Sequence, residues 1–367
     1  MEFTEDPNST ALSEPEPSPA CLHPNVVSVE FILHFKELGD ATLLICTLAS
    51  AVLQLNVLSR AYRHIRGKTA DKCLHVFLFS MTLADFILTG LVYPQELLSR
   101  LNLLGTMPRI VYLSSHVLCW ISLIVSSFSL VLMNADKLVY FRFPLRYSQY
   151  FTRRRSVGIS LACWIGSACF VAFAWAVNSF QCNGEYCQQL GFAPNRLHVY
   201  IFFLLIASVM PTLTSLIVAL YILKIMSIHR KQISQGQMTS FENSLNRRSL
   251  EKLLCSPNTS KARHNSVFMT RMRTFYFIFM STIFTAATLL PYRFVQITRM
   301  LNPTEVPQCS TILVLWILIY MVSLNSIVNP LLTVTILPQY RLSCMHRLRQ
   351  YHKQASPREF DSTRESL

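Results

Sequence analysis

Two short stretches place polar chemistry inside apolar surroundings. SMTLADFIL sets Asp85 midway along a long apolar run, and SLNSIVNPLLTVT (323–335) carries Asn325, Ser326 and Asn329 followed at once by Pro330. At i, i+1 and i+4, these three side chains share one helix face. A carboxylate at the centre of a lipid-spanning helix costs ~2.5–3.5 kcal/mol on insertion scales unless it is paired or hydrated. Asn56, in the first apolar run, and Ser126, in the third, fall at a similar depth. Together they have the chemistry of a hydrated polar core whose carboxylate binds a small cation through oxygen ligands. The alternative is a set of interhelical hydrogen bonds worth about 0.6 kcal/mol each, serving packing alone. Prolines add a second pattern, because Pro211, Pro291 and Pro330 interrupt three successive runs. Each removes an internal hydrogen bond where a membrane helix can kink or hinge. A polar core among proline-weakened helices reads as a switch rather than a pore, with static kinks as the plainer alternative. Catalysis is disfavoured, since Asp85 has only neutral candidate partners and no His, Cys or carboxylate set converges at its depth.

These residues need long helices to hold them. The chain is 51% hydrophobic and 14% charged, with a mean hydropathy of +0.35, where soluble proteins are about a quarter charged. Seven apolar runs, roughly 38–62, 73–96, 108–138, 156–179, 197–226, 273–299 and 309–336, reach the ~20 residues needed to cross a bilayer. The expected fold is all-α, a seven-transmembrane helix bundle over 37–337. Lys and Arg are absent before Lys36 and crowd the odd-numbered loops, including the Arg153-Arg154-Arg155 triplet. The N-terminus therefore lies outside, in a multi-pass protein of the plasma membrane. The net charge of +14 expresses that asymmetry rather than nucleic-acid binding.

Residues 1–36, rich in Pro, Ser and Glu, are expected to form a disordered extracellular tail, with a glycosylation sequon at Asn8. The loop 227–271 is expected to be largely disordered, and 351–367 to be a cytosolic tail. Cys21, Cys182, Cys187 and Cys309 fall on the oxidising side, where four cysteines allow three pairings. Cys344, near the inner leaflet, is a palmitoylation candidate.

The ordered landmarks resemble the rhodopsin-like (class A) G-protein-coupled receptors over about residues 38–345. Asn56 resembles the first-helix asparagine, Leu83-Ala84-Asp85 the second-helix LAD motif and Trp164 the fourth-helix tryptophan. Pro211, Pro291 and Asn329-Pro330 resemble the prolines of the last three helices, and Asp136 with Pro144-Leu145-Arg146-Tyr147 has the spacing of DRY and its loop. The resemblance implies a sodium site at Asp85, Ser126, Asn325, Ser326 and Asn329, with no other cofactor, and an amphipathic eighth helix over 338–350 whose basic residues lie on membrane lipid. It also marks departures. Lys137 and Leu138 stand for the Arg and Tyr of DRY, Leu289 for the sixth-helix tryptophan and Thr333 for the tyrosine of NPxxY. Arg271 stands where many members carry an acid that latches the arginine, so Lys137 and Arg271 would repel. Asp136, Lys137, Arg271 and Thr333 form the altered G-protein-facing switch. Tyr112 replaces the third-helix cysteine of the usual bridge, which leaves Cys182–Cys187 and Cys21–Cys309 as the preferred pairs.

Cys119, where amine receptors place an aspartate, argues against a monoamine, and Ser323, where visual pigments carry lysine, against retinal. The expected ligand pocket comprises Gln95, Glu96, Cys119, Trp120, Tyr292, Arg293, Gln296, Trp316 and Tyr320, with His198 adding aromatic surface. Arg293 points to an acid group or C-terminal carboxylate in the ligand, or else to a salt bridge with Glu96. The expected function is transduction of an extracellular, neuropeptide-like ligand to heterotrimeric G proteins, with arrestin and a receptor kinase acting on cytosolic serines. The alternatives are a receptor-like protein with weak or no coupling and a chemosensory receptor for a small molecule.

Overall fold

Ser28 opens the first helix. Its side chain accepts from the Phe31 N–H at 3.2 Å, an N-cap that satisfies one of the free donors of the first turn, and Glu30 there complements the helix dipole. The computed structural model describes residues 28–67, 72–101, 103, 105, 107–143, 146–183, 189–192, 197–247, 258–302 and 309–341. Among them, seven helices are long and apolar enough to cross a membrane: α1 Val29–Arg66, α2 Lys72–Arg100, α3 Arg109–Arg142, α4 Arg153–Ala176, α5 Leu197–Ile228, α6 Met272–Leu301 and α7 Cys309–Ile336. α1 packs on α2 and α7, α3 touches α2, α4 and α5, and α6 lies against α5 and α7.

The bundle is apolar outside and mixes apolar clusters with polar side chains within. On α1, Leu38, Ile45 and Val52 are exposed, whereas Asp40, Thr47 and Gln54, each two residues further along, are buried. A seven-residue spacing is two helical turns, so each triplet forms a stripe. Lipid is as apolar as the outer stripe, so what the inner one contributes is hydrogen bonding. Trp164 donates from Nε1 to Ser80 Oγ at 3.1 Å, and Ser129 Oγ donates to the same oxygen at 3.1 Å, tying α4, α2 and α3 together.

Two helices carry π-turns, Leu88–Val92 in α2 and Leu205–Val209 in α5, and each ends two residues before a proline, Pro94 or Pro211. The wider turn relieves the strain that a proline ring imposes on the preceding carbonyls.

Between α4 and α5 an antiparallel hairpin pairs β1 (Phe180–Asn183) with β2 (Gln189–Phe192), Phe180 opposite Phe192. Phe180 packs its ring on Trp120, Trp175, Tyr200 and Phe203. Tyr112, at the position where a bridging cysteine would stand, is buried and shares a hydrogen bond with Ser99 Oγ at 2.9 Å. The outer end of α3 is thus held by a hydrogen bond to α2 and by aromatic packing.

Three expected boundaries move. α1 begins at Val29 rather than 37, because the charges at Glu30, Lys36, Glu37 and Asp40 depress hydropathy without breaking a helix. The loop 227–271 is helical at both ends, since one helix runs Met210–Arg247 and the next starts at Asn258, just after Pro257. The stretch 227–247 contains no proline, and its Lys, Gln, Met, Leu and Arg are good helix formers. After α7 the chain makes a short 3-10 turn, Pro338–Tyr340, and the rest of the expected eighth helix lies outside the described residues. So do Asn8, Cys21, Cys187 and Cys344, and the side chain of Cys182. Cys309 is disulfide-bonded and buried. Cys46, Cys119, Cys163 and Cys169 are free thiols.

Candidate functional site

At the bundle centre, Asp85 is 1% exposed. Ser126 Oγ donates to its Oδ1 at 2.8 Å and Asn329 Nδ2 to its Oδ2 at 2.8 Å, and the Ser326 side chain lies close to the same carboxylate. Four of the five expected core residues therefore converge. Asn325 turns away, its Oδ1 accepting from Thr285 on α6 at 2.9 Å. Asn329 also reaches α6, where Ser281 Oγ donates to its Oδ1 at 2.9 Å. One carboxylate beside the hydroxyls of Ser126 and Ser326 and the amide of Asn329, with no cationic side chain bonded to it among the described residues, is a donor set that fits a small hard cation.

The first helix joins this network through Gln54, not Asn56. Pro330 lacks an N–H, so the carbonyl of Ser326, four residues before it, loses its helical donor. Gln54 Nε2 supplies one, at 2.9 Å, and Ser50 Oγ reaches the neighbouring Ile327 carbonyl at 3.4 Å. Gln54 Oε1 in turn accepts from Thr89 Oγ1 at 2.7 Å. Asn56 faces away and accepts from Arg60 Nε at 3.0 Å. Gln54 was legible only indirectly, as a buried-face amide able to answer the carbonyl that Pro330 orphans.

The expected ligand residues fall into two groups. Arg293 is 4% exposed; its Nε donates to Ser208 Oγ at 3.1 Å and its Nη1 to Gln296 Oε1 at 2.7 Å. Its guanidinium lies 5.4 Å from the Trp120 ring centre and 5.2 Å from that of Tyr292. Gln296 Nε2 donates to Tyr200 OH at 3.3 Å. No carboxylate pairs with Arg293 among the described residues, and its Nη2 makes no hydrogen bond among them. Cys119 and Tyr292 both lie within electrostatic reach of Arg293 and Glu96, while Cys119 packs against the apolar cluster that includes Leu88, Val92 and Tyr93.

The second group is a clamp between α1, α2 and α7. Glu96 pairs with Arg100 rather than Arg293, and Arg100 Nη1 also reaches Asp40 Oδ1 at 3.4 Å. Tyr320 OH donates to Asp40 Oδ1 at 3.0 Å. Arg100 and Lys36 each lie 5.2 Å from the Trp316 ring centre. Gly39 permits this closeness, because a Cβ there would stand 2.6 Å from the Tyr320 ring. Trp316 and Tyr320 thus brace the mouth of the bundle. Gln95 is half-buried and His198 is exposed.

At the cytosolic end, Asp136 and Lys137 are both buried. Lys137 Nζ lies 3.0 Å from Asp136 Oδ2, and Tyr147 OH donates to Asp136 Oδ1 at 2.7 Å. The cation that replaces arginine is engaged by its own neighbour; the Arg271 side chain lies outside the described residues. Thr333, buried, donates from Oγ1 to the Asn329 carbonyl at 2.8 Å. Beyond α7, burial pushes the Tyr340 hydroxyl well above its ordinary range, so it stays protonated and shares a 2.7 Å hydrogen bond with His75 Nδ1.

This arrangement suits a multi-pass membrane protein with a polar centre and distinct outer and inner faces. Residues 55–332 match the model of the 7 transmembrane receptor (rhodopsin family). Over 132 residues the chain is 33% identical to the G-protein coupled receptor aex-2 of Caenorhabditis elegans, covering 35% of this chain and 38% of that one. The aligned part is thus well under half of that relative's length. With three quarters of its length matched, and the Asp85 network linking α2, α3 and α7, the chain belongs to the rhodopsin family of seven-transmembrane receptors.

Proposed function

We propose that this protein is a G-protein-coupled receptor for an extracellular peptide-like ligand whose carboxylate docks on Arg293. The observation that carries the reading is a buried guanidinium bonded only to neutral side chains among the described residues. A charge left so poorly compensated is costly, and its planar fork matches a carboxylate. Trp120 and Tyr292 supply an aromatic wall beside it. The ligand's differential affinity for two arrangements of α5, α6 and α7 would open the cytosolic face to a heterotrimeric G protein. Arrestin and a receptor kinase would follow at the cytosolic serines, and a Cys21–Cys309 bridge would tether the N-tail, glycosylated at Asn8, over the pocket.

The test is a peptide-library screen read by arrestin recruitment, with every sequence made both as a free C-terminal acid and as an amide. Active acids whose amides lose ~100-fold or more in potency are expected. Hits indifferent to amidation would overturn the Arg293 reading, and neutral small-molecule agonists would favour the chemosensory alternative.

The polar centre carries a second proposal, a sodium ion held by Asp85, Ser126 and Ser326 that favours the resting arrangement. Agonist affinity is expected to be lower in sodium chloride than in choline chloride, and Asp85→Asn to abolish that difference. A wild-type receptor indifferent to sodium would rule the ion out.

A further inference from the structure

Asn134, fully buried on α3, directs one amide nitrogen at three helices. Its Nδ2 lies 3.1 Å from the Leu130 carbonyl of its own helix, 2.6 Å from Ser215 Oγ on α5 and 2.9 Å from Thr282 Oγ1 on α6. The carbonyl of Leu130 can only accept, which fixes the nitrogen on this side of the amide. Ser215 and Thr282 are both buried, with their hydroxyls 3.5 Å apart. Asn134 Oδ1 makes no hydrogen bond among the described residues, so the nitrogen alone holds the junction.

The junction stands above the inner mouth of the bundle. Two helical turns toward the cytosol, Asn134 is followed by Phe141, Ser215 by Ile222, and Thr282 is preceded by Phe275. Ile222 and Phe275 are fully buried, and the Phe141 ring meets that of Phe275 edge-on at 6.1 Å. These side chains fill the space between α3, α5 and α6, so the arrangement is closed to a protein partner. No ion pair among the described residues joins α3 to α6, and Lys137 is engaged by Asp136. The junction is also one that can part. In the same two helices Thr212 and Thr288 donate to the carbonyls four residues back, at 2.8 and 2.9 Å. Ser215 and Thr282 have that same fallback within their own helices, so separation orphans neither hydroxyl.

We propose that Asn134 is a positioning residue that sets the resting level of the receptor, its amide holding α5 and α6 against α3 until the cytosolic face opens. The inference rests on the receptor reading above, since a resting arrangement matters only to a protein that leaves it. Because one nitrogen serves both hydroxyls, α5 and α6 are held as a pair, and one substitution on α3 frees both. The two arrangements differ by hydrogen bonds exchanged for in-helix ones, which is a difference small enough for a ligand to reverse.

The test measures, by electron–electron double resonance, the distance between spin labels at Tyr62→Cys on α1 and Arg273→Cys on α6, two exposed positions. It uses the unliganded full-length receptor with its other reactive thiols replaced. An interhelical hydrogen bond in a membrane is worth roughly a factor of three. Thr282→Val keeps the shape and loses the hydroxyl, so it should raise the ratio of long- to short-distance populations about threefold. Asn134→Leu loses both bonds and should raise it on the order of tenfold, and adding Thr282→Val to it should change nothing more. Thr282→Ser, which keeps the hydroxyl, should match the wild type. Ser129→Ala removes a buried bond between α3 and α2 and should lower thermal stability without moving the distances. Unchanged distances in Thr282→Val overturn the proposal, even where Asn134→Leu fails to fold. A shift in Ser129→Ala as large as that in Thr282→Val overturns it as well. Basal nucleotide exchange on purified G proteins should rise in the same proportion. Moved distances without exchange on any G protein keep Asn134 in its role and overturn the coupling reading instead.

Discussion

In cells expressing Arg293→Gln, the half-maximal concentration of a carboxylate-bearing agonist is expected to rise by on the order of 100- to 1,000-fold at unchanged surface expression. Removing one partner of a buried ion pair costs about 3–5 kcal/mol, and each 1.4 kcal/mol is a factor of about ten. The free receptor should respond in the opposite sense. Without ligand, Arg293 is a buried charge held by Ser208, Gln296 and two aromatic faces, so the neutral glutamine should raise its thermal stability. Arg293→Lys keeps the charge, loses the fork and should fall between. Amidating the agonist should lower potency on the wild type and make little further difference on Arg293→Gln. If variant and wild type respond alike to the acid, the ligand's carboxylate docks elsewhere.

The second large effect concerns stability. Gln54→Ala is expected to cost ~2 kcal/mol, because it strips the Ser326 carbonyl of its donor and the Thr89 hydroxyl of its acceptor inside the bundle. At ~2–4 °C per kcal/mol, the purified receptor should unfold about 4–8 °C lower. The cause is checked by a double-mutant cycle. Pro330→Ala restores the N–H that a helix normally directs at carbonyl 326, so in that background Gln54→Ala should cost about 1 kcal/mol less. Equal losses in both backgrounds would mean that Gln54 acts by packing and not by answering the proline.

The helices and the centre of the bundle were legible in the sequence because membrane physics leaves few choices. Apolar length fixed seven spans to within a few residues, except at α1, where four charged residues hid a helix that Ser28 begins. Asp85, Ser126, Ser326 and Asn329 were found because buried polar groups need partners. Motif position favoured Asn56 over Gln54, yet the first-helix residue that bonds the centre is the one whose face meets α7. The outer residues were harder. Glu96, Trp316 and Tyr320 carry ligand-like chemistry, and what diverts them to bracing is Asp40, a carboxylate whose neighbours on α2 and α7 are set by three-dimensional packing. Arg293, singled out for its charge near the outer end, is buried, and the alternative of a salt bridge with Glu96 fails because that acid pairs with Arg100.

The turns before Pro94 and Pro211 have a consequence for how helix faces are read from the sequence. Each holds five residues where ordinary winding would accommodate four, so everything on the extracellular side is advanced by about 100° around the axis. Tyr93, Glu96 and Arg100 owe their heading to that phase slip, as do Tyr200 and Phe203 when counted back from Pro211. A projection at an even 100° per residue from Asp85 or Pro211 therefore drifts onto the adjacent face beyond those points. It must be reset by one residue before an outer side chain is assigned to lipid, clamp or pocket.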